Sequence, residues 1–192
     1  MHLPAPPSLT AEARVRLERA YGDPGRGYHD LLHLAEVLAR VDELLPEGPD
    51  REAVLLAAWF HDAVYDGGPA DEERSARLAL ELLDDADLAR EVARLVRVTA
   101  EHRPAEDDLA GQVLCDADLA ILAADDARYA SYTEGVRREY SQVPDADFAA
   151  GRAAVLRDLL AKPTLFHTPA GRERWEQRAR ANVTAEIARL EA

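Results

Sequence analysis

The stretch AAWFHDAVYDGG, residues 57–68, decides how this chain is read. Ala57, Ala58, Trp59 and Phe60 close an apolar helical pattern that already holds Leu55 and Leu56. The pattern runs straight into His61 and Asp62, and then into the glycine pair Gly67-Gly68. A segment built for an interior thus delivers an imidazole and a carboxylate at its end. Burying such groups is costly unless they are paired or bound to a cation.

Outward from this stretch the pattern stays helical. Ala, Leu, Glu and Arg fill most segments and β-branched residues are sparse. Helices are expected from about Thr10, as N-cap, to Tyr21, from Tyr28 to Leu45, and from a capping Asp50 through Val64. GDPGRG at 22–27 and PEGPD at 46–50 separate them. Asp71, Glu72 and Glu73 suit the positive end of a helix carrying Leu78, Leu80, Leu82 and Leu83. Further helices are expected over Asp87–Glu101, in DDLAGQVLCDADLAILAA (107–124), and over Ala127–Tyr140, Asp145–Ala161 and Gly171–Leu190. The expectation is an all-α bundle of about eight or nine helices. It forms one domain over residues 1–192, with a core at about 21–125 and a C-terminal helical extension at about 126–192.

Composition narrows the function. Thirty-seven acidic against 23 basic residues give a net charge of −14, which repels a phosphate backbone and excludes a nucleic-acid polymer as partner. A small phosphorylated substrate stays compatible, because a bound divalent cation reverses the local field. Cys115 is the one cysteine, so neither an intramolecular disulfide nor a Cys-rich zinc site can form. No apolar run approaches the roughly 20 residues of a membrane span, and MHLPAPPSLT lacks the features of a signal peptide. A cytoplasmic protein with no membrane partner is expected.

Six histidines can be weighed singly. His2 lies in a Pro-rich tail, and His167, in LFHTP, suits local capping. His29 and His33 share a helix face. The dipeptide His-Asp occurs twice, at 29–30 and 61–62, about as often as chance provides in this composition, so it carries no weight alone. Context does. His33 is set among Leu31, Leu32, Leu34 and Val37, and Asp118 lies within the apolar VLCDADLAIL. Three apolar helices each offer a metal-capable group, and two imidazoles with two carboxylates suit one divalent transition metal. Mn, Fe, Co, Ni and Zn fit, with Mg admitted. Neighbouring helical side chains diverge by about 100°, so His61 and Asp62 can converge only where the helix frays.

His33, then His61-Asp62, then Asp118 resembles the H…HD…D signature of the HD-domain metal-dependent phosphohydrolase superfamily. YGDPGRGYHDLLH, AAWFHDAVYD, DEERSA, VTAEH, CDADLAIL, REY, GR (151–152) and RARAN are similar to a group of bacterial HD proteins described as predicted phosphohydrolases, over about residues 21 to 187. The resemblance implies an HD-type helical bundle with His33, His61, Asp62 and Asp118 as metal ligands. It implies hydrolysis of a phosphoester in a small phosphorylated metabolite, a nucleotide above all. Asp118 rather than Asp116 matches the ligand position, leaving Asp116 to orient a ligand or water. Asp66 or Asp116 is then the proton acceptor, His102 sits near the phosphate or donates a proton, and Arg26 clamps phosphate. His29-Asp30 matches no position of the signature.

Two departures matter. Relatives that hydrolyse guanosine tetraphosphate carry HDxxED, whereas HDAVYD has Tyr65 in place of the glutamate; Glu72 or Glu73 is the available substitute. Binuclear relatives insert two more histidines before the last aspartate, and this chain has only His102 there, which favours one metal. An HD-type di-iron oxygenase and a non-catalytic metal- or ligand-binding protein are the alternatives. The late helices either cap the bundle or form a homodimer interface.

Overall fold

Capping chemistry sets where the helices begin. Thr10, Asp30, Asp85, Asp108, Asp125 and Thr168 each accept a backbone N–H from the first turn that follows. The computed structural model describes residues 3–45, 47–48 and 50–192. Among these residues the chain forms nine α-helices and no strand. They are α1 (Ala11–Tyr21), α2 (Leu31–Leu44), α3 (Arg51–Phe60), α4 (Asp71–Leu82), α5 (Ala86–Val98), α6 (Leu109–Leu119), α7 (Asp126–Glu139), α8 (Asp145–Ala161) and α9 (Pro169–Leu190). A 3-10 turn, Ala120–Ala123, extends α6.

The expected all-α architecture therefore holds, and the differences lie at helix ends. α2 starts at Leu31 rather than Tyr28, because Asp30 Oδ1 accepts the N–H groups of Leu32 (2.8 Å) and His33 (3.2 Å). Asp50 makes no side-chain cap bond, and α3 stops at Phe60, short of Val64. His2, and Pro46 and Pro49 of PEGPD, lie outside the described residues.

The interior has two apolar clusters. The first joins α1 to α6 and buries Leu17, Leu34, Leu38, Val54, Trp59, Phe60, Leu95 and Leu114. The second gathers the late helices around Leu122, Leu156, Leu165, Phe166, Trp175 and Val183, and it also takes in Tyr28 and Leu119. Those two residues come from the loop before α2 and the end of α6, so the clusters meet where His33 and Asp118 emerge. Each fully buried Leu, Phe or Trp contributes roughly 1.5–3 kcal/mol, and this anchors α2, α3 and α6 against one another.

Backbone contact fixes the seam. A Cβ on Gly27 would stand 2.2 Å from the Gly135 carbonyl oxygen, and one on Gly135 would stand 2.6 Å from that of Gly27. Only glycine at both positions lets α7 touch the loop before α2. Glu139, one turn further along α7, then reaches that loop. Its Oε1 accepts the N–H groups of Gly27, Tyr28 and His29, each at 2.9 Å. Among the described residues no helix is long and apolar enough to cross a membrane.

Candidate metal centre

The end of α3 resolves how two adjacent residues face one point. In a continuing helix the Asp62 N–H would bond the Ala58 carbonyl. Here that carbonyl lies 2.8 Å from His61 Nδ1, and the Asp62 N–H turns to the Tyr21 hydroxyl at 3.2 Å. Arg26 completes the break. Its guanidinium donates to the carbonyls of Asp62 (2.7 Å), Ala63 (3.0 Å) and His29 (2.7 Å). The helix ends, and His61 and Asp62 converge.

His33 from the first turn of α2 and Asp118 from the last turn of α6 meet them. One donor atom from each of the four residues lies within 4.8 Å of all the others. His33 Nε2 is 3.0 Å from His61 Nε2, 3.1 Å from Asp62 Oδ2 and 3.4 Å from Asp118 Oδ1. His61 Nε2 is 3.0 Å from Asp62 Oδ2 and 3.6 Å from Asp118 Oδ1. The imidazoles are 1 % exposed, and the Asp62 and Asp118 side chains 16 % and 17 %. This is a buried His/His/Asp/Asp cluster suited to metal coordination.

The donor chemistry fits a cation. A carbonyl only accepts, so His61 Nδ1 carries the proton and Nε2 of the neutral ring offers a lone pair to the cluster. Two carboxylates and a second imidazole nitrogen crowd the same point. Donor atoms sharing one ion at about 2.1 Å stand roughly 3.0–3.4 Å apart, which is the spacing found between most of these atoms. Without an ion, a proton is the available bridge. Burial alone would lower the His33 and His61 pKa values, yet Asp62 and Asp118 outweigh it and push both upward. Burial opposes ionisation of Asp62 and Asp118, but the imidazoles hold both carboxyls well below their usual range.

Around this cluster the late helices supply support. His102 Nε2 lies 2.8 Å from Asp118 Oδ2, the oxygen facing away from the other imidazoles. Its backbone takes φ 49°, the left-handed region that a histidine rarely occupies. Lys162 Nζ, just past α8, donates to the carbonyls of Glu101 (2.8 Å) and His102 (3.2 Å), and His167 Nε2 sits 3.2 Å from the latter. The strained residue is thus pinned from the C-terminal side.

A cavity of about 830 Å³ opens beside the cluster, and Tyr28, His29, Glu72, His102 and Asp118 line it. A smaller one of about 230 Å³ is lined by Tyr28, His33 and Asp118. His29, dismissed from sequence, is part of this environment. Its Nδ1 is 2.8 Å from Glu139 Oε2 and its ring stacks on Tyr65 at 3.9 Å. Only the long-range reach of Glu139, 110 residues away, reveals this, and no local signal in the sequence carries it.

Other expected site residues lie elsewhere. Asp116 points off the opposite side of α6, where its oxygens accept the N–H groups of His167 (2.7 Å) and Thr168 (2.8 Å) and so anchor the start of α9. Burial raises its pKa against those bonds. Asp66 is exposed and pairs with Arg74. Arg26 is committed to three carbonyls, a brace for the ligand turn. Of the two candidate substitute acids, Glu73 bridges Arg97 and Arg77 on the surface, while Glu72 lines the large cavity. Compared with family models, curated proteins and solved structures, the chain finds no match.

Proposed function

We propose that this chain is a metal-dependent hydrolase of the HD type, acting on a phosphoester in a small phosphorylated metabolite, a nucleotide above all. The observation that carries the reading is the double position of Asp118, which closes the four-donor cluster and also lines the 830 Å³ cavity. A metal site serving stability alone is closed by protein ligands, whereas a catalytic one keeps an open side. His33, His61, Asp62 and Asp118 would hold one divalent ion of the Mn, Fe, Co, Ni or Zn type, with Mg admitted. Such an ion supplies Lewis acidity, polarising a phosphoryl oxygen and acidifying a nearby water.

The protein's own groups set the rest. His102 holds the outer oxygen of Asp118 and so fixes the direction of the inner one. Leu119, Leu122 and Leu159 give the cavity an apolar wall for the part of the metabolite that is not phosphate. Arg103 and Lys162 add positive charge to the same cavity, in a chain whose net charge is −14. The proton-handling role expected of Asp66 and Asp116 passes to groups that line the cavity, Glu72 and His29.

Glu72 and His102 also favour a second reading, the di-iron oxygenase, because His102 stands 2.8 Å from Asp118 Oδ2 and Glu72 lines the same cavity, and both are donor types of a second ion. Elemental analysis of purified protein, followed by a Mn, Co, Ni and Mg screen against nucleotides, separates the readings. One metal per chain with oxygen-independent phosphate release is expected. Two irons per chain with oxygen-dependent turnover would favour the oxygenase. Metal-loaded protein inert across a broad panel of phosphate esters would leave a binding protein.

A further inference from the structure

One face of α8 borders open space. Phe148, Gly151, Arg152 and Val155 follow the three-four spacing that puts residues on one side of a helix, and all four line a chamber of about 470 Å³. Val155 is 57 % exposed, and a Cβ added to Gly151 would meet no heavy atom within 4 Å. Tyr65, from the turn after α3, and Tyr132 and Tyr140, from α7 and its end, line the same chamber, so with Phe148 it has four aromatic rings in its walls. His29, Tyr132, Arg152 and Val155 border this chamber and the 830 Å³ cavity alike, so the two adjoin. The His29 ring stands 5.5 Å from that of His33, which places the junction beside the metal cluster.

Arg152 brings a donor to that junction. Its Nε donates to Glu186 Oε1 at 2.9 Å and its Nη2 to the Tyr132 hydroxyl at 2.6 Å, while Nη1 has no hydrogen-bond partner among the described residues. Nor is Nη1 sealed in the interior. Tyr28 Oη is the one buried side-chain polar atom there without a partner, so Nη1 keeps accessible surface. The rest of the guanidinium is held rigid. Glu186 is itself fixed by the Tyr129 hydroxyl at 2.6 Å, and the Arg152 side chain is only 13 % exposed.

We infer that the aromatic chamber holds the planar heterocyclic ring of a nucleoside phosphate, and that Arg152 Nη1 donates a hydrogen bond to an acceptor on the ring edge. The phosphoester then lies at the metal cluster and the sugar in the larger cavity between them. Two observations favour a ring over a second phosphate. Aromatic walls stack on the face of any base, which is worth roughly 10–100-fold in affinity for each stacked base. Glu186 already opposes the charge of Arg152, so the arginine offers a directed N–H more than a net positive field. The inference rests on the phosphohydrolase reading and names the part of the substrate that the chain recognises.

The test compares kcat/KM for phosphate release from adenosine, guanosine, cytidine and uridine 5′-monophosphates with that from ribose 5-phosphate, which lacks the ring. In the metal-loaded full chain at least one nucleotide should exceed ribose 5-phosphate by about 10-fold or more. Arg152→Lys keeps a cation beside Glu186 but has no Nη1. Gly151→Leu fills the chamber from an exposed helical position where a side chain meets no neighbour, so it serves even if Arg152→Lys does not fold. Each should lower that ratio roughly 10–100-fold with metal content equal to wild type by elemental analysis. A wild-type ratio near one for all four nucleotides would overturn the inference while leaving hydrolysis intact. So would a ratio unchanged in folded, metal-replete variants, since a merely structural role lowers both substrates alike. No phosphate release from any of the esters would remove the underlying reading and the inference with it.

Discussion

The dipeptide His-Asp stands at the start of one helix and at the end of another, and the two copies have opposite fates. At 29–30 the aspartate precedes α2, where it caps two N–H groups, and His29 is held by Glu139 from α7. At 61–62 the pair follows α3, where backbone N–H groups are already used and carbonyls are free. There the His61 ring is hooked to a carbonyl, and both side chains turn inward to meet His33 and Asp118. Identical residues become cap or metal cluster according to which helix terminus they occupy.

That contrast can be broken by substitution. Asp62→Ala should lose metal by more than about 100-fold, beyond the roughly 10–100-fold that removal of a supporting partner costs. Metal titration of the two variants measures this, and equal loss in Asp30→Ala would erase the distinction. His102→Ala should fall within that 10–100-fold range, because Asp118 keeps its ligand oxygen but loses what orients it.

Metal affinity should also weaken as pH falls, by roughly tenfold per unit for one displaced proton. The sign follows from the raised pKa values of His33 and His61. An elevated value favours the protonated ring, so protons begin to compete above the ordinary histidine value of 6.5. A flat affinity between pH 6 and pH 8 would contradict these assignments. The smallest effect belongs to the first dipeptide. Asp30→Ala should cost about 1 kcal/mol of stability through the lost cap, with metal content unchanged, as thermal denaturation and elemental analysis would show.

A second contrast sets a polar cluster that balances its own charges against one that does not. In the late helices Tyr129 donates to Glu186 at 2.6 Å, Arg152 bonds Glu186 at 2.9 Å, and Arg152 reaches Tyr132 at 2.6 Å. There each charged or phenolic side chain finds a partner within the chain, and the Arg152 and Glu186 charges oppose each other. The four-residue cluster has an excess of acceptors at one point, and that mismatch calls for something the chain itself does not provide.

Much of this was legible in the sequence. Helical composition and spacing placed all nine helices, with α8 matched to the residue, because helix-forming residues and the prolines and glycines that separate them are local signals. The four cluster residues were legible too, since each is a costly polar group set in an apolar helix. Their supports were not. Arg26 reads as a loop cation but braces carbonyls at 62 and 63, and Asp116 reads like Asp118 but caps α9. Residues two apart on a helix point to nearly opposite sides, and only the packing of α9 against α6 tells which side holds the cavity.

The sequence by itself determined the helices and their apolar faces, because periodicity is written in neighbouring residues; burial cost marked His33, His61, Asp62 and the acids of α6 as candidates, and the resemblance to the HD signature chose Asp118 over Asp116. The tertiary structure decided which imidazole and which carboxylate share a point, that His29 and Tyr28 stand beside them, that Arg26 braces the Asp62 turn through its backbone, and that Asp66 and Asp116 pair elsewhere. Most of those outcomes depend on contacts between residues 28 to 110 apart, such as His33 to His61, Arg26 to Asp62 and His29 to Glu139, and no local pattern encodes a partner that far away.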